Sequence, residues 1–497
     1  MFIGVDLGTS AVKLLAMTSE GKILKTLSVE YPISFPKSGW SEQSPEDWYK
    51  GTIKGIKELL DQVCSSNDIP RLIEGLGIGG QMHGLVILDK DNNVIRPAIL
   101  WNDGRTTKET AYLNEVIGQD KLSQYTGNIA FAGFTAPKIL WVKNNEPDNF
   151  AKIEKIMLPK DYIVYRLTGA YTSDYSDASG MLLMDVKNKC WSKEMLEICG
   201  VSHVTMPELH DSFDVVGEVK ESIAAEFGLS SNASIKVVAG AGDNAAAAVG
   251  TGTVGAGGCN LSLGTSGTLF ISNDSFTVDD KNSLHSFAHA DGGYHLMGCM
   301  LSAASCNKWW MDQILQTKDY AGSQKDIVDN ALDRLGNNNV FFMPYLMGER
   351  SPHNNPLVRA GFLGMSMDTT REDMVQAVLE GVAFGLRDSL EVARSQGIII
   401  ESSNICGGGA KSPLWRQIIA NVMNVTLTIQ ENDEGPALGG AILAAVGCKV
   451  FDSVQSAADK LVKVVEKVEP NPELVARYEE KYKTFKTLYP MIKDLYK

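Results

Sequence analysis

Apolar and polar positions alternate in short runs at the start of the chain, and turn residues punctuate them. Phe2 to Val5, Val12 to Met17 and Ile23 to Val29 read as three successive strands of a β-meander, joined through Leu7-Gly8-Thr9-Ser10 and Glu20-Gly21. The pattern then becomes helical. Ser44-Pro45-Glu46-Asp47 opens a helix, and Trp48, Ile53, Ile56, Leu59, Leu60 and Val63 form its apolar stripe. Leu76 to Ile78 and Ala98 to Leu100 are short apolar runs, and each leads into a polar or glycine-rich cluster. Leu158-Pro159-Lys160-Asp161-Tyr162 starts another helix, and Ser173-Asp174-Tyr175-Ser176-Asp177 reads as a polar loop. Thr370 to Arg394 is a long helix with a Thr370/Asp373 capping box and Met374, Val378, Val382, Leu386 and Leu390 on one face. Ile398 to Ile405 reads as a strand, Pro413 to Met423 as a helix, and Glu434-Gly435-Pro436 opens a further one. Pro470 and Pro472 interrupt the chain before a final amphipathic helix, Glu473 to Tyr496.

The stretch Val237 to Gly250, VVAGAGDNAAAAVG, joins a buried strand to an Ala-rich helix through a glycine turn. Asp243 is the one acid there, and no charged residue follows until after Asn273. A carboxylate at such a mouth suits a general base acting on a hydroxyl. It equally suits a helix N-cap. The uncharged run is long enough to span a membrane, but its glycines, serines and threonines read instead as a helix end, a turn and strands.

Leu-Gly-Thr-Ser occurs twice, at Leu7 to Ser10 and at Leu263 to Ser266, each time between two strands. Recurrence half a chain apart suggests an internal duplication. Such turns can offer backbone N–H groups and hydroxyls to phosphate, or be plain hairpins. Gly79-Gly80-Gln81-Met82-His83-Gly84 puts a histidine between glycines after a strand, a site candidate or a packing residue. Trp101-Asn102-Asp103-Gly104-Arg105 suits either polyol binding or a turn held by Asp103. Gly348-Glu349-Arg350-Ser351-Pro352-His353 is a charged loop. Three glycines, Gly407 to Gly409, stand between strand and helix, where a backbone can lie against a nucleotide. No Walker-type G-x-x-x-x-G-K-[ST] is present.

The length of 497 residues suggests two or more domains. A net charge of -14 argues against nucleic-acid or anionic-membrane surfaces. The eight cysteines have no C-x-x-C or metal-type spacing, which fits reduced thiols in a cytoplasmic protein, and the MFIGVD start shows no signal peptide.

Taken in order, DLGTS from Asp6, GQMHG from Gly80, WNDGR from Trp101, GDN from Gly242, LGTSG from Leu263 and GGGA from Gly407 resemble the FGGY carbohydrate kinases. WSEQ, GFTAPK, LPKDY, LSAASC and GERSPHNN resemble the members that phosphorylate D-xylulose. The resemblance runs from Met1 to about Gly447. It implies an α/β fold of two actin-like (ribonuclease-H-like) domains flanking a central cleft. The expected division is residues 1–246 for sugar and the first phosphate turn, and 247–497 for ATP, with a C-terminal helix over 473–496.

By the same resemblance Asp243 is the general base, and Met82, His83, Trp101, Asp103 and Asn244 hold the ketose. Asp6 organises Mg²⁺ through water, with Asp243 beside the metal. Thr9, Ser10 and Lys13 bind phosphate on the first turn, Gly264, Thr265 and Ser266 on the second. Gly408, Gly409 and Ala410 hold adenosine. Ala11 departs from the glycine of many members, without expected loss, since alanine suits backbone that needs no positive φ. The implied reaction is phosphorylation of D-xylulose at O5 by MgATP, with no nucleic-acid or membrane partner. The oligomeric state stays open, a homodimer being usual in the family. A kinase for another ketose or polyol, and a sugar sensor without catalysis, are the alternatives; Gln81-Met82-His83 speaks against glycerol.

Overall fold

The N-terminal runs fold into strands β1 (Phe2–Leu7), β2 (Ala11–Met17) and β3 (Ile23–Glu30), an antiparallel meander. The computed structural model describes residues 1–67, 72–230, 233–432 and 434–496. On its other side β1 pairs in parallel with β4 (Gly75–Gly80). The sheet continues through β5 (Val215–Glu218) and β6 (Lys236–Val238), in the order β5-β6-β4-β1-β2-β3. After Val238 the strand breaks, and Gly240 takes φ +79°. A Cβ there would lie 2.2 Å from the Ile78 carbonyl oxygen, so only glycine fits. Ala241–Gly242 then rejoins the sheet beside β4.

A second sheet repeats the plan. Strands β7 (Cys259–Leu263) and β8 (Gly267–Asn273) form an antiparallel hairpin, followed by β9 (His285–Ala288) and β10 (Tyr294–Met300). Strand β11 (Ser402–Cys406) runs parallel to β7, and β12 (Thr426–Gln430) and β13 (Val464–Val468) extend the edge. The order is β9-β10-β8-β7-β11-β12-β13. In both sheets a Leu-Gly-Thr-Ser turn joins the first hairpin, and the strand before it also pairs in parallel with a later strand. The repeated tetrapeptide therefore marks a repeated architecture.

Helices cover these sheets. They include α1 (Pro45–Asn67), α2 (Asp243–Gly250), α3 (Arg371–Ser395), α4 (Pro413–Met423), α5 (Gly435–Gly447) and α6 (Pro472–Ile492). The Thr370/Asp373 capping box forms as its residues dictate. Two elements are shorter than their patterns. The strand expected from Ile398 begins only at Ser402, and Ile399 stands 76% exposed. The last helix ends at Ile492, and Lys493–Tyr496 tightens into a 3₁₀ turn.

Helix α5 comes from the second half of the chain, yet it packs on β1 and β4 of the first sheet and on α2. Small residues allow this. A Cβ on Gly4 would sit 1.7 Å from the Ala437 carbonyl oxygen, and one on Gly439 1.8 Å from that of Ala246. The α2–α5 pair so joins the two sheets, and the expected division at 246/247 falls within α2. Among the described residues no helix is long and apolar enough to cross a membrane.

The stretch Ser173 to Asp177, which reads as a polar loop, instead falls in a short strand, Thr172–Asp174, and a helical turn, Tyr175–Ala178. It is buried, with Ser173, Asp174, Ser176 and Asp177 each at 0% exposure. Burial is tolerated because Lys160 lies among the acids, 2.5 Å from Asp161 and 2.9 Å from Asp174. Burial works against the Lys160 charge, but the three carboxylates outweigh it and raise its pKa.

Candidate active site

Strand pairing brings two acids of distant sequence to one place. Asp6 lies in β1 opposite Gly79 of β4, and the Ala241–Gly242 strand on the far side of β4 delivers Asp243. Gly242 is the N-cap of α2, so Asp243 is the first helical residue and not the cap. Its Oδ1 accepts from the Asn244 backbone N–H at 2.8 Å and from Asn244 Nδ2 at 3.0 Å. Its Oδ2 is left for other partners. Burial and then the Asp6 charge push Asp243 up to about 7, against the Asn244 hydrogen bond. Burial pushes Asp6 up to about 6, opposed by Lys13 directly across the β1–β2 ladder and aided by Glu434 before α5. Two neighbouring carboxylates with raised pKa values, at a cleft between two sheets, suit proton abstraction and cation binding.

Met82 borders the turn that carries Asp243, and His83 follows Met82. Asn244 Nδ2 reaches Met82 Sδ at 3.7 Å, and a Cβ on Gly242 would lie 3.0 Å from Met82 Cγ. His83 has φ +69°, and its carbonyl is held there by Lys138 Nζ at 2.7 Å and Thr135 Oγ1 at 3.1 Å. Its Nδ1 lies 2.7 Å from the Gly180 carbonyl, which can only accept, so the proton sits on Nδ1 and Nε2 remains an acceptor. Burial, then Lys138, lowers the His83 pKa to about 3, which keeps the ring neutral. A neutral acceptor of this kind suits a hydroxylated ligand.

Trp101 is 48% exposed, and its Nε1 donates to Thr9 Oγ1 at 3.0 Å. Asp103 is 2% exposed and already accepts four hydrogen bonds. They come from Ser41 N at 2.5 Å, Arg105 N at 2.9 Å, Arg105 Nε at 2.8 Å and Arg105 Nη2 at 2.7 Å. The turn-holding reading of Asp103 is thus realised, and a sugar hydroxyl would be a fifth donor.

The first turn is held from behind. Gln43 Nε2 donates to the Thr9 carbonyl at 2.7 Å, Tyr31 OH to that of Gly8, and Gln81 Nε2 to Gln43 Oε1 at 3.2 Å. These positioning residues escaped the sequence reading; Gln43 and Gln81 were signalled only by membership of the WSEQ and GQMHG segments, and Tyr31 by nothing. Ser10 and Lys13 are exposed at the turn, and Ala11 opens β2 without positive φ.

The second turn lies apart, at a cavity of about 1520 Å³. Gly264, Thr265, Gly408 and Gly409 line it, whereas Ser266 and Ala410 do not. Gly407 takes φ +93° against the Leu263 backbone, and a Cβ on Gly408 would meet open space. The lining also includes Tyr320 and Gln324, on a helix the sequence reading overlooked, and Trp415 of α4. Among the described residues no group of three or more His, Cys, Asp or Glu could hold a metal alone. A cation here would need ligand phosphates or water beside Asp6 and Asp243.

Residues 1–250 match the N-terminal domain of the FGGY family of carbohydrate kinases, and residues 259–448 match its C-terminal domain. The chain belongs to this family. Its fold is that of two actin-like halves about a cleft. This FGGY kinase is 38% identical to the xylulose kinase of Escherichia coli (strain K12), over 100% of both chains. A crystal structure described as a xyloylose kinase from Brucella ovis superposes with a TM-score of 0.90 at 38% identity, covering 99% of each chain. The gluconate kinase of Lactobacillus acidophilus superposes with a TM-score of 0.92 at 25% identity, covering 99% of this chain and 98% of that one. Backbone likeness therefore spans kinases named for different substrates.

Proposed function

We propose that this kinase transfers the γ-phosphoryl group of ATP to O5 of D-xylulose, giving D-xylulose 5-phosphate and ADP. The observation that carries the reaction is Asp243, a carboxylate poised near neutral pH between the Met82–His83 segment and the first phosphate turn. The choice of sugar is supported by the end-to-end likeness to proteins named xylulose kinase, 36–38% identical over nearly the whole chain.

In this reading Asp243 takes the O5 proton as the oxygen attacks phosphorus, and phosphoryl transfer otherwise asks for positioning and charge neutralisation. His83 Nε2 and Asn244 orient the ketose, with Met82, Trp101 and Asp103 shaping its pocket. Thr9, Ser10 and Lys13 on one turn, and Gly264, Thr265 and Ser266 on the other, donate to the phosphates. Gly408 and Gly409 border adenosine in the large cavity, with Ala410 next to them in the same loop. Asp6, through water, and Asp243 would hold Mg²⁺, which supplies positive charge against the charge developing on the phosphoryl oxygens. The sugar half is residues 1–246 and the nucleotide half 247–497. We place the reaction in the cytoplasm, and we expect a homodimer.

The test is ADP release by the purified chain with MgATP, with and without D-xylulose. A large rise with D-xylulose supports the proposal. A rise only with gluconate or another polyol would keep the kinase and change the sugar, the reading that the gluconate kinase likeness favours. No rise with any sugar would sink the catalytic reading.

A further inference from the structure

The charged loop from Gly348 to His353 has no part in the chemistry above, yet it touches both halves of the cleft. Glu349 is 2% exposed. Its Oε1 accepts from the backbone N–H of Leu301 at 3.0 Å and of Arg350 at 2.8 Å. Leu301 follows β10, and the residues after it close on the second phosphate turn. Ala304 N donates to the Gly264 carbonyl at 2.8 Å, Ala303 N to the Thr265 carbonyl at 3.0 Å and Ser305 Oγ to the same oxygen at 2.7 Å. Glu349 therefore fixes the segment that holds the nucleotide turn.

Arg350 reaches the sugar side. Its guanidinium lies over the Phe131 ring, 4.9 Å from the centroid. Phe131 meets Phe134 at 5.4 Å, and Phe134 stacks on His83 at 4.7 Å. From the second sheet, His285 meets Phe131 at 5.0 Å and Phe287 meets Phe134 at 6.1 Å. The ring column behind His83 is thus built from both halves of the chain. After burial, Arg350 is the next cause that depresses the basicity of His285, and it adds to the same effect on His83.

We propose that Glu349 and Arg350 are positioning residues that tie the nucleotide turn to the ring column behind His83, so that binding of one substrate favours binding of the other. The inference rests on the sugar-kinase reading above. Arg350 pins Phe131 from a loop whose neighbouring residue pins the Thr265 segment. A shift of either half must move the other or break the cation–ring contact.

The test is the dissociation constant of D-xylulose, by tryptophan fluorescence or calorimetry, with and without a non-hydrolysable ATP analogue and Mg²⁺. The wild-type ratio of the two constants should be about 10-fold, within the usual range of coupling between sites. Arg350→Met should bring the ratio close to one, with nucleotide affinity and Tm kept, and Arg350→Lys should retain part of it. Unchanged coupling in Arg350→Met overturns the proposal. So does loss of coupling only together with a lower Tm and weaker nucleotide binding, which marks a merely structural role. Should Arg350→Met not fold, Phe131→Leu decides, since it leaves the loop intact: a lost ratio supports the link and a wild-type ratio overturns it. A wild-type chain that binds both ligands without coupling sinks this inference alone. One that binds neither sinks the function proposed above.

Discussion

At the scale of single residues, the charge state of Asp243 governs what can be measured. Its pKa of about 7 means that the free base is lost as the medium turns acidic. Turnover per unit of sugar (kcat/KM) should fall about tenfold per pH unit below that value. A profile flat down to pH 5 would remove Asp243 from the base role. Asp243→Ala should lose roughly 10²-fold or more in turnover while still binding sugar, because a general base contributes that order of rate. The same shift acts on stability. The folded chain holds the Asp243 proton more tightly than the unfolded chain, whose carboxyl titrates near roughly 4. Ionisation therefore opposes folding, and the group's contribution to stability declines as pH rises from there to about 7. Asp243→Asn should raise Tm in alkaline buffer and leave it unchanged well below the unfolded value, as thermal scans at both ends would record. Asp243 and Asp6 were legible as acids at strand ends beside glycine turns. The Lys160 ion cluster and the hydrogen bond from Ser41 to Asp103 were not, since local sequence does not say which polar residues will be buried together.

At the scale of elements, glycine contacts carry the arrangement. Helices α2 and α5 touch backbone to backbone, and the first residue of α2 is Asp243. Gly439→Val would force Ala246 away, and overpacking of this kind costs about 1–3 kcal/mol, often more against backbone. Urea unfolding should show that loss together with reduced activity; unchanged stability would mean that the helices can separate without cost. Gly408 differs, because its missing Cβ faces the cavity and its φ is not positive. Gly408→Val should raise the KM for ATP by about tenfold, a loss of roughly 1.4 kcal/mol in nucleotide affinity, and leave the KM for sugar alone. Initial-rate kinetics in both substrates would separate the two. Strand and helix starts followed their periods and caps closely. Ile398 to Ile400 did not, because an apolar run by itself does not fix the residue at which strand pairing begins.

At the scale of the molecule, Met82 and His83 follow β4 of the first sheet, and the cavity lies beside the β7–β8 turn of the second, with the α2–α5 pair packed on the first. Closure of such a cleft excludes water from the phosphoryl group. The radius of gyration, measured by small-angle X-ray scattering, should therefore contract when sugar and a non-hydrolysable ATP analogue are both present, and less with either alone. Periodicity, caps and glycine turns are local properties, so the order of side chains was enough to place most elements, the repeated Leu-Gly-Thr-Ser hairpin and the candidate acids. The family motifs could be recognised for the same reason. The meeting of Asp6 with Asp243 was decided only when β1 and the Ala241–Gly242 strand took opposite sides of β4. The return of α5 to the first sheet and the sharing of the His83 ring column with β9 were likewise matters of tertiary structure. These contacts join residues far apart in the chain, and their energy comes from packing and desolvation that exist only once the two sheets have assembled.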